Sequence, residues 1–548
     1  MGSPADRGSP LAGRVYLPRA TGHRSRVCRR RVRGVRAAAV RQEHILQCAE
    51  GATLMVGRSG GQSRVSPVVG WHPAPRVAER AAWSRVKRIL PRLAWFVAAP
   101  AVGDAAGRVG PAGKAAESAR LGGRVSARAE QLLARLAAIP MPVQALAALL
   151  LIMFYAERIW TVYRDTGLFR RLGFDWGLFY SQASALAAGD VAAMYQVERL
   201  GAYVQQLAPY TTTPQVPLLQ WPSPYPPLLA ATLLPFTRIS PPLAFGIWTA
   251  LSLAAACHVL WRVGQLVPGG GRGRLRLAVI FFTTLPVLQA FLLGQPVLFL
   301  ASALAESFLA LRRGAELRGG LWLGLLALKP QYGLLLGALL LWKRRWRAAA
   351  GAVVSVVAVL AASAAVAGPA GVWEYATGVS AMGDFRDPYA APAEMVNWRA
   401  LIVNARPAIG NTSGVLLFLL LSLLTVAAIV WAARGAWRPG TRTLDWQLAS
   451  VALATFLVSY HSHMHGLVLL AVPLAALWRI SKRAPTVRLA ILGFVFLPTA
   501  AFVGVAAGHG FVINYDEPLW VVWPVWNVAL LGALLGVTLL TLKTAPET

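Results

Sequence analysis

The sequence predicts an all-α, polytopic membrane protein with about ten transmembrane helices and a re-entrant hairpin. Of its 548 residues, 56% are hydrophobic and only 14% are charged, whereas an ordinary soluble domain carries about 25% charged residues. Apolar runs of roughly 15 to 23 residues recur from Met141 onward, and about 20 helical residues cross a bilayer core of about 30 Å. Basic residues concentrate in the connectors between alternate runs, which is typical of membrane topology.

Residues 1–140 form a basic region that precedes the apolar body. They hold 25 Lys and Arg against 7 Asp and Glu, including the cluster Arg29-Arg30-Arg31. Their apolar content is low and irregular, so we expect a disordered segment with a short helix at 128–138. The interpretations that stay open are a disordered tail, a polybasic segment drawn to the anionic inner leaflet, and an upstream extension of a chain whose translation starts near Met141.

Residues 141–548 form the multi-spanning domain. Ten runs within it have the length and apolarity expected of crossing helices. These runs are 143–163, 241–263, 277–293, 297–311, 348–367, 413–433, 444–460, 466–480, 487–506 and 520–542.

Two further apolar runs do not fit a simple crossing. Residues 226–236 are too short and are bounded by proline pairs. Residues 320–342 carry Lys329-Pro330 at their centre, where a charge is costly and proline removes a backbone hydrogen bond. We therefore expect interfacial or re-entrant segments, which are tolerated only inside protein or beside a water-filled cavity.

The distribution of charge predicts the orientation. If residues 1–140 are cytoplasmic, the connectors on that side and Lys543 hold 18 Lys and Arg, whereas the opposite side holds 8, against 10 acidic residues. The positive-inside rule then places both termini in the cytoplasm and two long polar loops, 164–225 and 368–412, outside. The formal net charge of +32 is thus explained by topology, and we expect no nucleic-acid partner.

The outer loops carry the candidate chemical groups. Asp175 lies beside aromatic residues at the outer surface, where a carboxylate can accept a proton from a sugar hydroxyl; a helix-capping or solvated acid is the alternative. Lys329 in a broken helix can neutralise a lipid phosphate, or it can snorkel to the surface.

Three alternating histidines, His461, His463 and His465, occupy one outer turn. Imidazole is a common metal ligand, but this stretch carries no carboxylate, so hydrogen bonding to substrate or to the loop is favoured. We predict no metal ligands and leave open whether a divalent cation takes part.

Six motifs in order resemble glycosyltransferase family 87, the polyprenyl-phosphate-mannose-dependent α-mannosyltransferases with a multi-spanning C-type glycosyltransferase fold. The resemblance covers roughly residues 141–540. The motifs are FDWGLFYSQASALAAGDVAAMY, SPYPPLLAATLLPFTRISPPLAFGIW, LGQPVLFLASALAESFLALRRG, GGLWLGLLALKPQYGLLLGALLLWKRRWRA, EMVNWRAL and SYHSHMHGLVLL.

This resemblance implies roles for individual residues. Asp175 takes the position of the family's first-loop acid, where it would act as general base. Val297 and Gly466 depart from the family pattern, which tends to have Asn and an acid there. The expected substrate-binding residues are Tyr225, Gln295, Lys329, Asn397, Arg399, His461 and His463.

The resemblance also implies a reaction. We expect an inverting glycosyltransferase of the plasma membrane that moves a hexose, with mannose expected, from a polyprenyl-phosphate donor to a cell-envelope glycolipid or glycan at the outer face. The alternative is a transporter or flippase of a lipid-linked glycan. Transporters often contain an internal repeat; we find none between the two halves, and long outer loops favour catalysis.

Overall fold

The regular elements of the described chain are helices, which confirms the all-α class for this part of the protein. The computed structural model describes residues 111–212, 225–267, 270–381, 385, 392–406, 408–509 and 522–542. The chain divides into two units, Met1–Pro75 and Arg76–Thr548, and all described residues belong to the second unit. In these ranges extended pairing is limited to three isolated bridges.

The described residues form eighteen α-helices, numbered in chain order. They are α1 Pro111–Ala137, α2 Met141–Thr166, α3 Phe174–Ala187, α4 Val197–Val204, α5 Pro227–Leu233, α6 Pro241–Gly264, α7 Gly271–Thr283, α8 Leu285–Leu293, α9 Val297–Arg312, α10 Glu316–Gly324, α11 Leu334–Trp342, α12 Trp346–Ala381, α13 Trp398–Ala405, α14 Asn411–Ala432, α15 Arg442–Val458, α16 Ala471–Ile480, α17 Pro485–His509 and α18 Val522–Leu542.

The basic N-terminal region is helical where it meets the apolar body. Helix α1 covers residues 111–137, a longer segment than the short helix expected at 128–138. Helix α1 packs against α17, and Ala129 is buried. Residues 1–110 lie outside the described residues, so the other expectations for this region remain predictions.

Five described helices are long and apolar enough to cross a membrane, or six if the bent pair α7 and α8 forms one span. The pair bends by 56° between Thr283 and Leu285, where Pro286 begins the second helix. The structure thus supports five or six of the ten predicted crossings by length and composition. The five helices have candidate spans at Met141–Thr166, Pro241–Gly264, Trp346–Gly378, Asn411–Ala432 and Pro485–Gly504.

Two other predicted crossings correspond to shorter, interior helices. Helices α9 and α15 contain 16 and 17 residues, and nearly all of their side chains are buried. A helix that is apolar on every side packs in the interior. These helices form the centre of the main apolar cluster, which also includes residues of α8, α16 and α18.

The segment 320–342 is interrupted at its centre. Helix α10 leads through a 3₁₀ turn, Leu325–Leu328, to Lys329, and a second 3₁₀ turn, Pro330–Tyr332, leads into α11. Lys329 has a non-helical backbone because the residue before a proline disfavours the α conformation. We call residues 316–342 the hairpin; its re-entrant path in a membrane stays a prediction.

Helix α10 lies unusually close to α12. A Cβ on Gly320 would overlap the carbonyl oxygen of Ala348, and a Cβ on Gly324 would overlap that of Ala352. The hydroxyl of Ser355 donates to the carbonyl of Leu321 at 2.7 Å. Small residues four apart allow such close approach of two backbones, so they fix one limb of the hairpin against α12.

Two buried acids join the helix ends on the predicted cytoplasmic side. Asp445 is fully buried and pairs with Arg312, at 3.0 Å, and with Arg479. Glu306 pairs with Arg262 and with Arg318. Each acid therefore links helices that are distant in sequence.

Candidate functional site

Asp175 lies in the first turn of α3, just after a sharp change of chain direction. Gly173 adopts a left-handed conformation with φ of 69°, and its amide donates to the carbonyl of Leu292 at 2.6 Å. A carboxylate near a helix N-terminus is stabilised by the helix dipole. Asp175 is only partly buried, unlike Trp176 beside it, which is fully buried. The acid is thus fixed to the body of the protein while part of its surface stays open.

The turn between α8 and α9 brings Gln295 to Asp175. Helix α8 ends at Gly294, whose φ is 70°, a conformation that glycine adopts readily. A Cβ on Gly294 would overlap the Cβ of Trp176, so this position requires glycine for two reasons. The Gln295 Nε2 atom donates to Asp175 Oδ2 at 2.6 Å.

Tyr225 and Lys329 continue the contact from Gln295. The Tyr225 hydroxyl donates to Gln295 Oε1 at 2.7 Å, and Lys329 Nζ donates to the Tyr225 hydroxyl at 3.0 Å. Tyr225 and Lys329 are 2% and 1% exposed. We call Asp175, Gln295, Tyr225 and Lys329 the polar chain. Lys329 therefore does not snorkel to the surface; it points into the protein.

The polar chain sets the electrostatics of Asp175. Burial raises the pKa of its carboxyl to about 6, against the lowering effects of the Gln295 hydrogen bond and of the Lys329 charge. Asp175 lies outside the candidate spans. A carboxyl group with this pKa is ionised at neutral pH yet basic enough to take up a proton.

The histidine turn lies close to both cations of the site. The rings of His461 and His463 are 4.7 Å apart, and those of His463 and His465 stack at 5.7 Å. Burial, with the nearby charges of Lys329 and Arg399, lowers the pKa of His461 well below its usual value and that of His463 to about 3. These imidazoles are consequently neutral at physiological pH.

Arg399 is completely buried in the first turn of α13. Its Nε donates to the Phe385 carbonyl at 2.9 Å, and its guanidinium lies 4.2 Å from the Tyr460 ring centroid. The aromatic face partly compensates the buried positive charge. Arg399 and Lys329 both act on His461 and His463, so the structure brings these four predicted residues into one region.

Asn397 has a structural contact for each end of its side chain. Its Oδ1 accepts from the Ala400 amide at 2.9 Å, which caps α13, and its Nδ2 donates to the Ser459 carbonyl at 2.7 Å. A helix cap typically contributes about 1 kcal/mol of stability. The side chain is fully buried and links the start of α13, which carries Arg399, to Ser459, which precedes the histidine turn.

Tyr332 was not among the predicted site residues. Lys329 Nζ lies 5.6 Å from the centre of the Tyr332 ring, and the ring stacks on Phe456. A Cβ on Gly466 would overlap the Tyr332 hydroxyl, so the ring of Tyr332 leaves no room for a side chain at that position. The sequence signal for Tyr332 was its position three residues after Lys329, because a 3₁₀ turn brings residues three apart onto the same side of the chain.

The described residues give no support for a metal centre. No group of three His, Cys, Asp or Glu side chains within the described ranges is arranged to hold a metal ion. His461 and His463 meet edge-to-face, and His463 stacks on His465. The role of this turn stays a prediction.

These features define a helical membrane protein whose candidate site combines an accessible carboxylate with two buried cations. The family model of glycosyltransferase family 87 matches residues 224–459. The match supports assignment of the chain to this family, and with the apolar helices it supports a membrane glycosyltransferase. Asp175 precedes the matched segment, and His461 follows it. No curated protein and no solved structure matched the chain.

Proposed function

We propose that the protein transfers a hexose, mannose in the first instance, from a polyprenyl-phosphate donor to a cell-envelope glycolipid or glycan at the outer face of the plasma membrane. The observation that carries the proposal is the polar chain, which joins the partly accessible carboxylate of Asp175 to the buried ammonium of Lys329. An acid and a cation held in one arrangement suit a reaction in which a hydroxyl loses a proton while a phosphate departs.

In the proposed reaction, a side chain of the site assists each bond that forms or breaks. The acceptor oxygen attacks the anomeric carbon of the donor sugar, and its proton passes to Asp175. The bond from the anomeric carbon to the phosphate oxygen breaks, and its electron pair leaves with the polyprenyl phosphate. Lys329 and Arg399 stabilise the negative charge that appears on this phosphate. Attack opposite to the leaving group inverts the anomeric carbon.

The histidine turn has a supporting role in this proposal. His461 and His463 are partly exposed and neutral, so each imidazole has one N–H donor and one acceptor nitrogen. Such groups can bind sugar hydroxyls without opposing the two cations. The polyprenyl tail lies among the apolar helices, because a lipid-linked donor keeps its chain in the bilayer.

The test uses purified full-length protein reconstituted in liposomes with radiolabelled mannosyl polyprenyl phosphate and a lipid acceptor. We expect Asp175→Asn to lower transfer by about 10² to 10⁴ fold, the usual contribution of a general base. The matched control is Asp190→Asn, since Asp190 lies in the same outer segment but pairs with Arg199 at the surface. Normal transfer by Asp175→Asn would contradict the base assignment. Movement of label across the bilayer without a new glycosidic product would favour the flippase alternative.

A further inference from the structure

Gln295 and Tyr225 direct their polar atoms at other protein groups. Gln295 contacts Asp175 and Tyr225, and Tyr225 contacts Gln295 and Lys329. We propose that Gln295 and Tyr225 are positioning residues, which fix Oδ2 of Asp175 and leave Oδ1 for the acceptor hydroxyl. This inference rests on the proposed function, because Asp175 is the carboxylate that they orient.

The polarity of the polar chain permits one arrangement. An ammonium group only donates and an ionised carboxylate only accepts, so Lys329 and Asp175 determine the direction of every bond between them. Tyr225 must then accept from Lys329 and donate to Gln295, and the amide nitrogen of Gln295 must face Asp175. The three hydrogen bonds are all formed when Asp175 is ionised and Lys329 is charged, which is the state that a general base requires before the reaction.

The two positioning residues are themselves held firmly. The Tyr195 hydroxyl donates to the main-chain carbonyl of Tyr225 at 2.9 Å, and the Phe179 ring meets the Tyr225 ring edge-on at 5.0 Å. The amide of Gln295 donates to the carbonyl of Ala290 at 3.0 Å. Packing and backbone contacts of this kind restrict rotamers and fix the geometry of a site.

Burial has the largest effect on the pKa of Asp175, which it raises, and the polar chain opposes this effect. Lys329 is the charged group that lowers the pKa of Asp175, and Gln295 is the hydrogen-bond donor that does so. Other titratable or charged groups on or beside the segments packed against α3 include Asp190, Tyr195, Glu198, Arg199, Tyr203, Tyr210, Arg238, His258 and Arg262.

The experiment measures protonation of Asp175 directly. Carbodiimide modifies protonated carboxyl groups, so the yield at Asp175, followed by mass spectrometry of the reconstituted full chain, falls as pH rises through the pKa. We expect a midpoint near pH 6 in the wild type. In Gln295→Met and in Tyr225→Phe the midpoint should rise by about one pH unit, the effect of losing a charge-assisted hydrogen bond or its orientation.

The control is Tyr155→Phe, which also removes a buried tyrosine hydroxyl. The Tyr155 hydroxyl donates to the main-chain carbonyl of Thr283 and is not part of the polar chain. The midpoint of this variant should match the wild type. Tyr225→Phe keeps the packed ring and removes only the hydroxyl. It therefore tests the inference even if the Gln295 variant does not fold. Unchanged midpoints in both Gln295→Met and Tyr225→Phe would overturn the inference.

Kinetics separate positioning from substrate binding. Positioning predicts that kcat falls by about tenfold or more while the KM for donor and acceptor stays constant, because a base out of place weakens the transition state. A raised KM at constant kcat would show direct substrate binding and would overturn the inference. Failure of the wild type to transfer sugar would instead overturn the proposed function, and the labelling midpoints would still test the polar chain.

Discussion

At Asp175 one carboxylate oxygen is held by Gln295 while part of the side chain stays accessible. Full burial would exclude an acceptor hydroxyl, and full exposure would leave the carboxyl with its ordinary low pKa. The partial burial seen here raises the pKa to about 6 without closing the site. The residue is therefore suited to accept a proton near neutral pH.

The pH dependence of transfer follows from this pKa. The base must be ionised, so the rate should be low below pH 6, rise through about pH 6 and level off above it. Initial rates at saturating donor and acceptor, measured across this range, test the expectation. Protein incubated at each pH and assayed at one common pH controls for inactivation. A rate that falls as pH rises through 6 would contradict the assignment of Asp175 as base.

At the scale of elements, the hairpin depends on its contact with α12. Lys329 lies at the tip of the hairpin, and its ammonium must reach Tyr225 in a different segment. Gly320 and Gly324 determine how closely α10 approaches α12. A small change in this contact therefore moves the cation of the site.

A substitution within the hairpin tests this dependence. Gly320→Ala should separate α10 from α12 and destabilise the protein by about 1–3 kcal/mol, the usual cost of overpacking. Gly337→Ala is the matched control on α11, because a Cβ there meets nothing within 4 Å and alanine favours a helix by about 0.5–1 kcal/mol. Thermal inactivation in detergent measures the stability of both variants. Equal stability of the two variants would contradict the close contact.

At the scale of the whole molecule, buried ion pairs join the ends of distant helices. Asp445 on α15 pairs with Arg312 of α9 and with Arg479 of α16. Both arginines belong to the basic residues that predict the cytoplasmic side. Some of the charges that predict orientation therefore also hold the helices together.

Removal of this buried acid should be costly. Asp445→Asn leaves Arg312 and Arg479 without their carboxylate, and loss of one partner of a buried pair typically costs about 3–5 kcal/mol. Asp190→Asn is the control, since Asp190 pairs with Arg199 at the surface and outside the candidate spans, where a pair is worth about 0–1 kcal/mol. Unfolding midpoints of the purified variants should differ accordingly. A control that is as damaging as Asp445→Asn would contradict the structural role of Asp445.

The sequence predicted the parts of the molecule that depend on local pattern. Hydropathy predicted the helical class, and the Lys329-Pro330 pair predicted a break in its apolar run, because both signals are carried by neighbouring residues. Hydropathy could not separate a crossing helix from an interior one, so α9 and α15 were predicted on the same basis as the five long spans.

Contacts between residues that are distant in the chain were harder to predict from the sequence. The expected substrate binding by Gln295, Tyr225 and Asn397 stays a prediction. The structure adds that Gln295 and Tyr225 are bonded to each other across 70 positions of the chain and that Asn397 caps α13. These partners come together only through tertiary packing, and one sequence carries no direct signal of such pairing.

The amide of Gln295 has a consequence for the path of the proton in the proposed mechanism. A continuous row of acidic and basic groups could pass a proton from Asp175 to Lys329. A carboxamide neither gains nor loses a proton at ordinary pH, so Gln295 interrupts proton transfer between Asp175 and Tyr225. In the proposed mechanism, a proton taken up by Asp175 therefore returns to the water beside this partly exposed carboxyl group.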